Sequence, residues 1–273
     1  MATAISVTIT IFILLQDEQH DNFDTAFEQF SRTVGQAAVD QLQDAMAAYD
    51  GLSTAVSIMA KSNGAEWPYF SVPYFEQIAG KYRQEARLEI MSIFNIVKDE
   101  DRDNWLAWAK EHYEQMVEES HMIRYGNLDK LVPEDYHDYI YGVTPHGLVP
   151  DSGKETYFTS WSFTPPQFSY ALLNWNIRSI PDYEAAAKAS LFLRNETILT
   201  RVRPYGAAVG AAMTQEQHEA MHSKLLDSNS EHPHSMFFRL VLDDPNDINS
   251  EAVAALGGAM AWDGTCRSTK SAD

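Results

Sequence analysis

One cysteine, Cys266, stands in 273 residues. No internal disulfide and no cysteine-based zinc cluster can form. The compartment stays open, because a reducing cytosol and a large extracellular core both dispense with disulfides. Cations are scarce as well. Against 39 Asp and Glu stand 20 Lys and Arg, a formal net charge of −19 and a pI near 4.7. Nucleic acid and anionic lipid surfaces are therefore excluded as partners recognised through overall charge. Catalytic signatures are missing too: there is no G-x-S-x-G, no P-loop, and no G-x-G-x-x-G after a strand. Residues 1–15, MATAISVTITIFILL, hold no ionisable side chain, and residues 17–61 hold no proline and only two glycines, Gly35 and Gly51.

Apolar material is plentiful. Hydrophobic residues make up 45% of the chain and aromatics 12%, enough for a sizeable core and too much for wholesale disorder. The uncharged first fifteen residues have three readings. A bilayer-spanning helix needs about 20 apolar residues, and this run supplies about 14, so it reads as a partial membrane anchor. An atypical signal is the second reading, although no basic residue precedes the run and Leu14-Leu15-Gln16-Asp17 is a poor cleavage site. A buried N-terminal strand or helix is the third. The residues that follow, Asp17, Glu18, Asp21, Asp24 and Glu28, suit the extracytoplasmic side of a membrane.

From residue 17 to 61 apolar residues recur mostly at steps of three and four: Phe23, Phe27, Phe30, Val34, Ala37 or Ala38, Leu42, Ala45, Tyr49, Leu52, Val56 and Met59. That period predicts one long amphipathic helix, about 65–70 Å in length, ending at Ser62-Asn63-Gly64. A stalk over residues 16–62 that also packs on its own domain fits the pattern, and a homodimer through this helix is expected. Residues 67–76 read as a loop entering a short helix with Pro73 in its first turn. Residues 87–97 read as a core strand. Asp99-Glu100-Asp101 opens a helix that Gly126 stops. Short strands are expected at 139–143 and 157–163, a helix at 182–202, and a helix capped by Thr214. Two adjacent strands, 235–242 and 252–262, are joined by an acidic turn. The fold class predicted is α+β: a long N-terminal helix leading into a domain, residues 63–263, with a mainly antiparallel sheet flanked by helices, and a polar tail over 264–273.

Three motifs bear on chemistry. His218-Glu219-Ala220-Met221-His222 fits H-E-x-x-H, which on a helix places two imidazoles to share zinc with the glutamate as base. Its flanks, Gln215, Glu216, Gln217 and Lys224, are polar, which favours a solvated helix face over a zinc hydrolase. No metal or other cofactor is therefore expected, His218 and His222 being the alternative. His232-Pro233-His234 precedes a strand; it offers two imidazoles to a ligand, or hydrogen bonds to a loop. Aromatics cluster at Tyr139, Tyr141, Tyr157 and Trp161, with Arg178 as a nearby anion contact. Either they form core, or they wall a ligand pocket. Asn195-Glu196-Thr197 is an N-glycosylation sequon, meaningful only outside the cell.

The order of these pieces resembles the extracytoplasmic sensor region of receptor-type adenylate/guanylate cyclases of diatoms and related algae. The apolar run, the Phe-spaced helix around Asp24-Thr25-Ala26-Phe27-Glu28-Gln29-Phe30 and Gly51-Leu52-Ser53 carry the resemblance. So do Trp67-Pro68 with Val72-Pro73, Pro165-Pro166 with Asn174-Trp175-Asn176, His232-Pro233-His234-Ser235, and a last strand ending Trp262-Asp263. It implies a PAS-like or CHASE-like sensor between two membrane spans, with a cyclase domain beyond the second. No cyclase residues follow Asp263 in this chain, so no catalytic residue carries over. The resemblance implies signal transduction through an unknown small ligand or extracellular partner, with the chain itself not an enzyme.

Overall fold

The computed structural model describes residues 2–129, 131, 136–144, 147–166, 170–194, 196–200, 203–204, 233–244, 246–247 and 250–261. Of residues 2–18, 20–21, 203–204, 233–235 and 258–261 only the backbone is described. The chain divides into two units, Met1–Asp44 and Ala45–Asp273.

Helix α1 is Ala2–Ser62. In the first unit most of its described side chains are exposed, Phe23, Phe27, Phe30 and Val34 among them, while Ala38, Gln41 and Leu42 are half-buried. In the second unit Ala45, Tyr49, Leu52, Val56 and Ala60 form a buried stripe at steps of four and three. Small residues let this part of the helix approach strand β7 (Pro233–Leu242) closely: Ser53 Oγ donates to Leu240 O at 2.6 Å, and Ser57 Oγ to Leu242 O at 2.7 Å. The helix ends where the sequence predicts. Gly64 takes the left-handed conformation, φ 62°, and the Ala65 N–H reaches back to Ala60 O, as in a Schellman ending.

The remaining elements follow in order. Helix α2 is Phe75–Glu85, β1 Ile90–Lys98, a 3-10 turn Asp99–Asp101, and α3 Arg102–Tyr125. Strands β2 (Tyr141–Thr144) and β3 (Gly147–Pro150) form a hairpin, followed by β4, Thr156–Thr164. Helix α4 is Pro181–Phe192; β5 is Ile198–Leu199, β6 Arg203–Pro204, and β8 Ala252–Ala261. The sheet runs β4-β1-β8-β7-β5, with β6 also pairing β7, and every one of these pairings is antiparallel. This is the α+β architecture expected: a long helix leading into a mainly antiparallel sheet flanked by helices. Among the described residues, no helix is long and apolar enough to cross a membrane.

The sheet has two covered faces. On one, Phe94, Phe158, Phe238, Leu240 and Ala255 meet Tyr183, Ala186 and Ala187 of α4 and Tyr141 and Val143 of the hairpin. On the other, Phe237 stacks on Tyr49 of α1, and Trp161 packs edge-on against Trp105 of α3 with ring centres 5.1 Å apart. Neighbours Phe237 and Phe238 thus serve opposite faces, as strand alternation requires. Strand β8 is built of small residues, and the reason is steric: a Cβ on Gly257 would lie 2.5 Å from the Phe94 ring.

Two local expectations need correction. The helix expected over 182–202 ends at Phe192. Beyond it Ile198 and Leu199 pair with Phe238 and Phe237, because the edge of β7 offers open hydrogen-bonding groups and this segment is β-branched. Pro73 precedes α2 rather than lying within it, since Tyr74 (φ 55°) stands between them in the left-handed region. The helix expected after Thr214 lies outside the described residues.

Candidate functional site

The aromatic cluster of the sequence separates in space. Tyr141 is buried among the residues facing α4, and its hydroxyl donates to Ala171 O. Tyr139 packs partly buried at its edge, its ring T-shaped to that of Tyr141. Burial drives the Tyr141 phenol well above its ordinary value. Tyr157 lies toward the start of α3, where its hydroxyl donates to Asp99 Oδ1 at 2.7 Å and the Arg102 guanidinium sits 5.5 Å over its ring. Burial and the Asp99 carboxylate both raise its pKa.

Arg178 is fully engaged. Its Nε and Nη2 grip Glu184 at 2.6 and 3.0 Å, and Nη1 donates to the Thr156 carbonyl and hydroxyl. The guanidinium also lies 5.5 Å over Phe158. Burial lifts the Glu184 carboxyl, but its bonds and charge interactions with Arg178 and Lys188 outweigh that, and the pKa falls to about 2. His234 is on β7, paired with Arg203 and Ala261. His232, His218, Glu219, His222 and Asn195 lie outside the described residues. Among the described residues, no three His, Cys, Asp or Glu side chains stand together as a metal site requires.

The Asn174-Trp175-Asn176 segment ties the two faces together. Asn174 is buried with φ 64°, accepts from Trp105 Nε1 at 3.0 Å, and donates to the Tyr136 hydroxyl and His137 O. Asn176 accepts from Phe158 N and donates to Asp151. A short polar side chain that tolerates the left-handed region explains asparagine at 174.

Trp161 leads to a site that the sequence does not announce. Its indole Nε1 donates to Ser71 Oγ at 2.6 Å. Above it, Trp105 and Trp108 of α3 pack ring against ring, and Trp108 stacks on His112 at 4.6 Å. Between α3 and the 69–73 loop opens a cleft of about 340 Å³, lined by Tyr69, Ser71, Val72, Pro73, Trp108, His112, Gln115, Met116 and Glu119. The helical period puts Trp108, His112, Gln115 and Glu119 on one face of α3. The loop is held from below by Asn95 on β1, whose amide donates to Pro68 O at 2.8 Å and Phe70 O at 3.2 Å. Beneath the cleft a smaller apolar pocket, with about 10 Å³ of free space, is lined by Trp161, Phe163, Val117, Ser120, Pro166 and Leu173, and Met116 lines both.

Serine, histidine and glutamate share this cleft, yet not as a triad. His112 Nδ1 is taken by the Trp108 carbonyl at 2.8 Å, the position a triad carboxylate would occupy. Glu119 is seven residues further along the helix, about 10 Å of rise away. What the cleft offers is the aromatic surface of Tyr69 and Trp108 beside an equally large polar lining from Ser71, His112, Gln115 and Glu119, a mixed surface able to hold a small molecule by both. The signals present in the sequence were the Trp67–Pro73 loop and the tryptophans of α3; nothing local showed that they meet. In comparison with known proteins, no family model matches the chain, and no curated protein matches it in sequence.

Proposed function

We propose that this chain is the extracytoplasmic ligand-sensing region of a receptor of the adenylate/guanylate cyclase type. The cleft between α3 and the 69–73 loop receives the ligand. The observation that carries this reading is the cleft itself. Its volume lies in the range of small-molecule sites, and its aromatic wall is fixed from beneath by Trp105, Trp161 and the Trp161–Ser71 hydrogen bond. The sheet supports it: counting β1, β4, β5, β7 and β8 in chain order, the strands stand 2-1-5-4-3, the order of a PAS-like sheet. Signal leaves the domain through α1, whose Ser53 and Ser57 are bonded to β7 carbonyls, provided that ligand favours one of two states of that helix.

A thermal-shift screen of the whole chain against small organic molecules tests this. Saturable stabilisation that disappears in Trp108→Ala and in a cleft-filling Ser71→Trp supports the reading. Hits whose effect both variants leave unchanged bind elsewhere and overturn it.

The exposed residues Phe23, Phe27, Phe30 and Val34, at steps of four, three and four, favour a second component of the proposal. A 3.5-residue apolar period is the seam of a coiled coil, so α1 pairs with α1 of a second copy. The expected sedimentation result is a dimer that Phe27→Ser with Phe30→Ser dissociates; a monomer across the concentration range removes this component.

A further inference from the structure

We propose that the cleft is selective for organic ammonium ions, a positively charged nitrogen carried on a flat apolar body. This inference rests on the cleft being the ligand site and adds the chemical class of the ligand.

The charge of the lining decides the class. Among the described residues that line the cleft, Glu119 is the one carboxylate, and no lysine or arginine is present. Among the described residues no ion pair involves Glu119; nearby cations are taken by other carboxylates, as Arg124 is by Glu76. An anionic ligand would meet Glu119 with no lysine or arginine in the lining to offset the repulsion; His112, the lining's imidazole, is turned to the Trp108 carbonyl through Nδ1. A neutral apolar ligand would strip water from the carboxylate and give nothing back. An ammonium ion satisfies it directly. The rings of Tyr69 and Trp108 stand T-shaped at 6.4 Å, and both line the cleft. Aromatic rings attract a desolvated cation through their quadrupoles. Ser71 Oγ and the Gln115 amide oxygen are further acceptors for N–H groups. The chain's net charge of −19 adds a field that draws cations in.

The other end of the ligand is set by Met116. Its side chain is the wall shared with the inner apolar pocket, where Trp161 and Phe163 stand. Methionine is unbranched and changes rotamer readily, so it can yield to an apolar group without disturbing the tryptophan stack. The ligand thus lies with its nitrogen toward Glu119 and its apolar end against Met116.

Calorimetric titration of the whole chain with three probes of similar size tests the inference: phenethylammonium, neutral 2-phenylethanol and anionic phenylacetate. The expected result is one saturable site for phenethylammonium, at least tenfold tighter than for the other two. Glu119→Gln weakens it about tenfold, as loss of one partly desolvated charge contact predicts. Glu118→Gln, one residue away and exposed, leaves it unchanged and so excludes diffuse attraction to an acidic surface. Equal or tighter binding of the neutral or anionic probe overturns the ammonium assignment. So does an affinity that Glu119→Gln leaves unchanged, or no binding of any probe. If 2-phenylethanol binds best and Trp108→Ala abolishes that binding, the cleft remains the ligand site and only its charge preference fails. If phenethylammonium binds but neither Trp108→Ala nor Glu119→Gln affects it, both readings fail.

Discussion

Helix α1 carries the same apolar spacing through two regions and meets opposite fates in them. Over residues 22–44 its phenylalanines are exposed, Phe23 and Phe30 by about two thirds of their surface, while Leu42 near the end is half-buried. Over residues 45–60 the repeating positions are filled by Ala45, Tyr49, Leu52, Val56 and Ala60, all buried under the sheet. The lesson concerns size. Where the helix lies against β7, Ala45 and Ala60 bound the stripe of Tyr49, Leu52 and Val56, and beside it the small Ser53 and Ser57 come close enough to bond strand carbonyls. Where no described residue covers it, the stripe is wide and aromatic. Spacing alone says that a face is apolar; residue size says what distance its partner must keep.

The largest effects expected follow from that contrast. Leu52→Ala opens a cavity in a fully buried position and costs about 3 kcal/mol in denaturant unfolding. Phe27→Ala, at low protein concentration, costs less than about 0.5 kcal/mol, because the ring is already in water. A Phe27→Ala cost that matches Leu52→Ala and grows with concentration breaks the contrast and shows the exposed stripe to be covered by a second chain.

Charged pairs divide in the same way. Glu28 and Arg32 on the exposed stretch are i, i+4 neighbours at 2.6 Å, both largely in solvent. Glu28→Gln costs about 0.3 kcal/mol, and added salt lowers that further. Glu184 holds the nearly buried Arg178 through two hydrogen bonds, and Glu184→Gln costs about 2 kcal/mol at neutral pH, part of it the loss of a partner for a desolvated guanidinium. The two also differ in pH dependence. The Glu184 carboxyl sits at about 2 in the folded chain, below its value when unfolded. Its stabilisation is complete above the unfolded value and is lost as pH falls toward about 2. Glu184→Gln therefore flattens the acid limb of the stability curve, as urea titrations between pH 5 and pH 2 will show.

Glu76 works with the opposite sign. Burial raises its carboxyl, and Thr164, Arg124 and Arg83 offset this only in part. The folded chain holds that proton more tightly than the unfolded chain, so this site weakens the fold as pH rises through the window above the unfolded value. Glu76→Gln removes that slope, and stability at neutral pH is retained or increased; a marked loss instead shows its ion contact with Arg124, 3.8 Å away, to be the stronger influence.

How much of this was legible follows from the range of each interaction. The end of α1 at Gly64, the acidic opening of α3 and its stop at Gly126 were readable, because caps are decided within a few residues. The β7–β8 hairpin was readable for the same reason. The insertion of β8 between β1 and β7 was not, because Gly257 reveals its purpose only when Phe94 is seen to lie over it. The cleft was hidden more deeply. Ser71 and Trp108 are far apart in sequence, and Trp161, which braces both, sat in the sequence among aromatics that strand alternation sends to another face. Phe158, for example, turns toward Arg178, while Tyr157 beside it turns toward Arg102.

The two glycines of α1 give the smallest and finest comparison. Helix propensity disfavours both by about 1 kcal/mol relative to alanine, so spacing and propensity treat them alike. Their surroundings do not. A Cβ on Gly35 has nothing within 4 Å among the described residues, whereas a Cβ on Gly51 would stand 3.0 Å from the Tyr82 ring and 3.3 Å from its hydroxyl. Gly35→Ala should stabilise by about 0.5–1 kcal/mol, the full propensity gain. Gly51→Ala should gain little or nothing, because Tyr82 must shift by a few tenths of an ångström to admit the methyl. Gly51→Ala with Tyr82→Leu, measured as a double-mutant cycle, should restore the gain. If Gly51→Ala alone stabilises as much as Gly35→Ala, the α1–α2 contact is looser than the described distances, and the contrast between the two regions of the helix narrows to the size of their side chains.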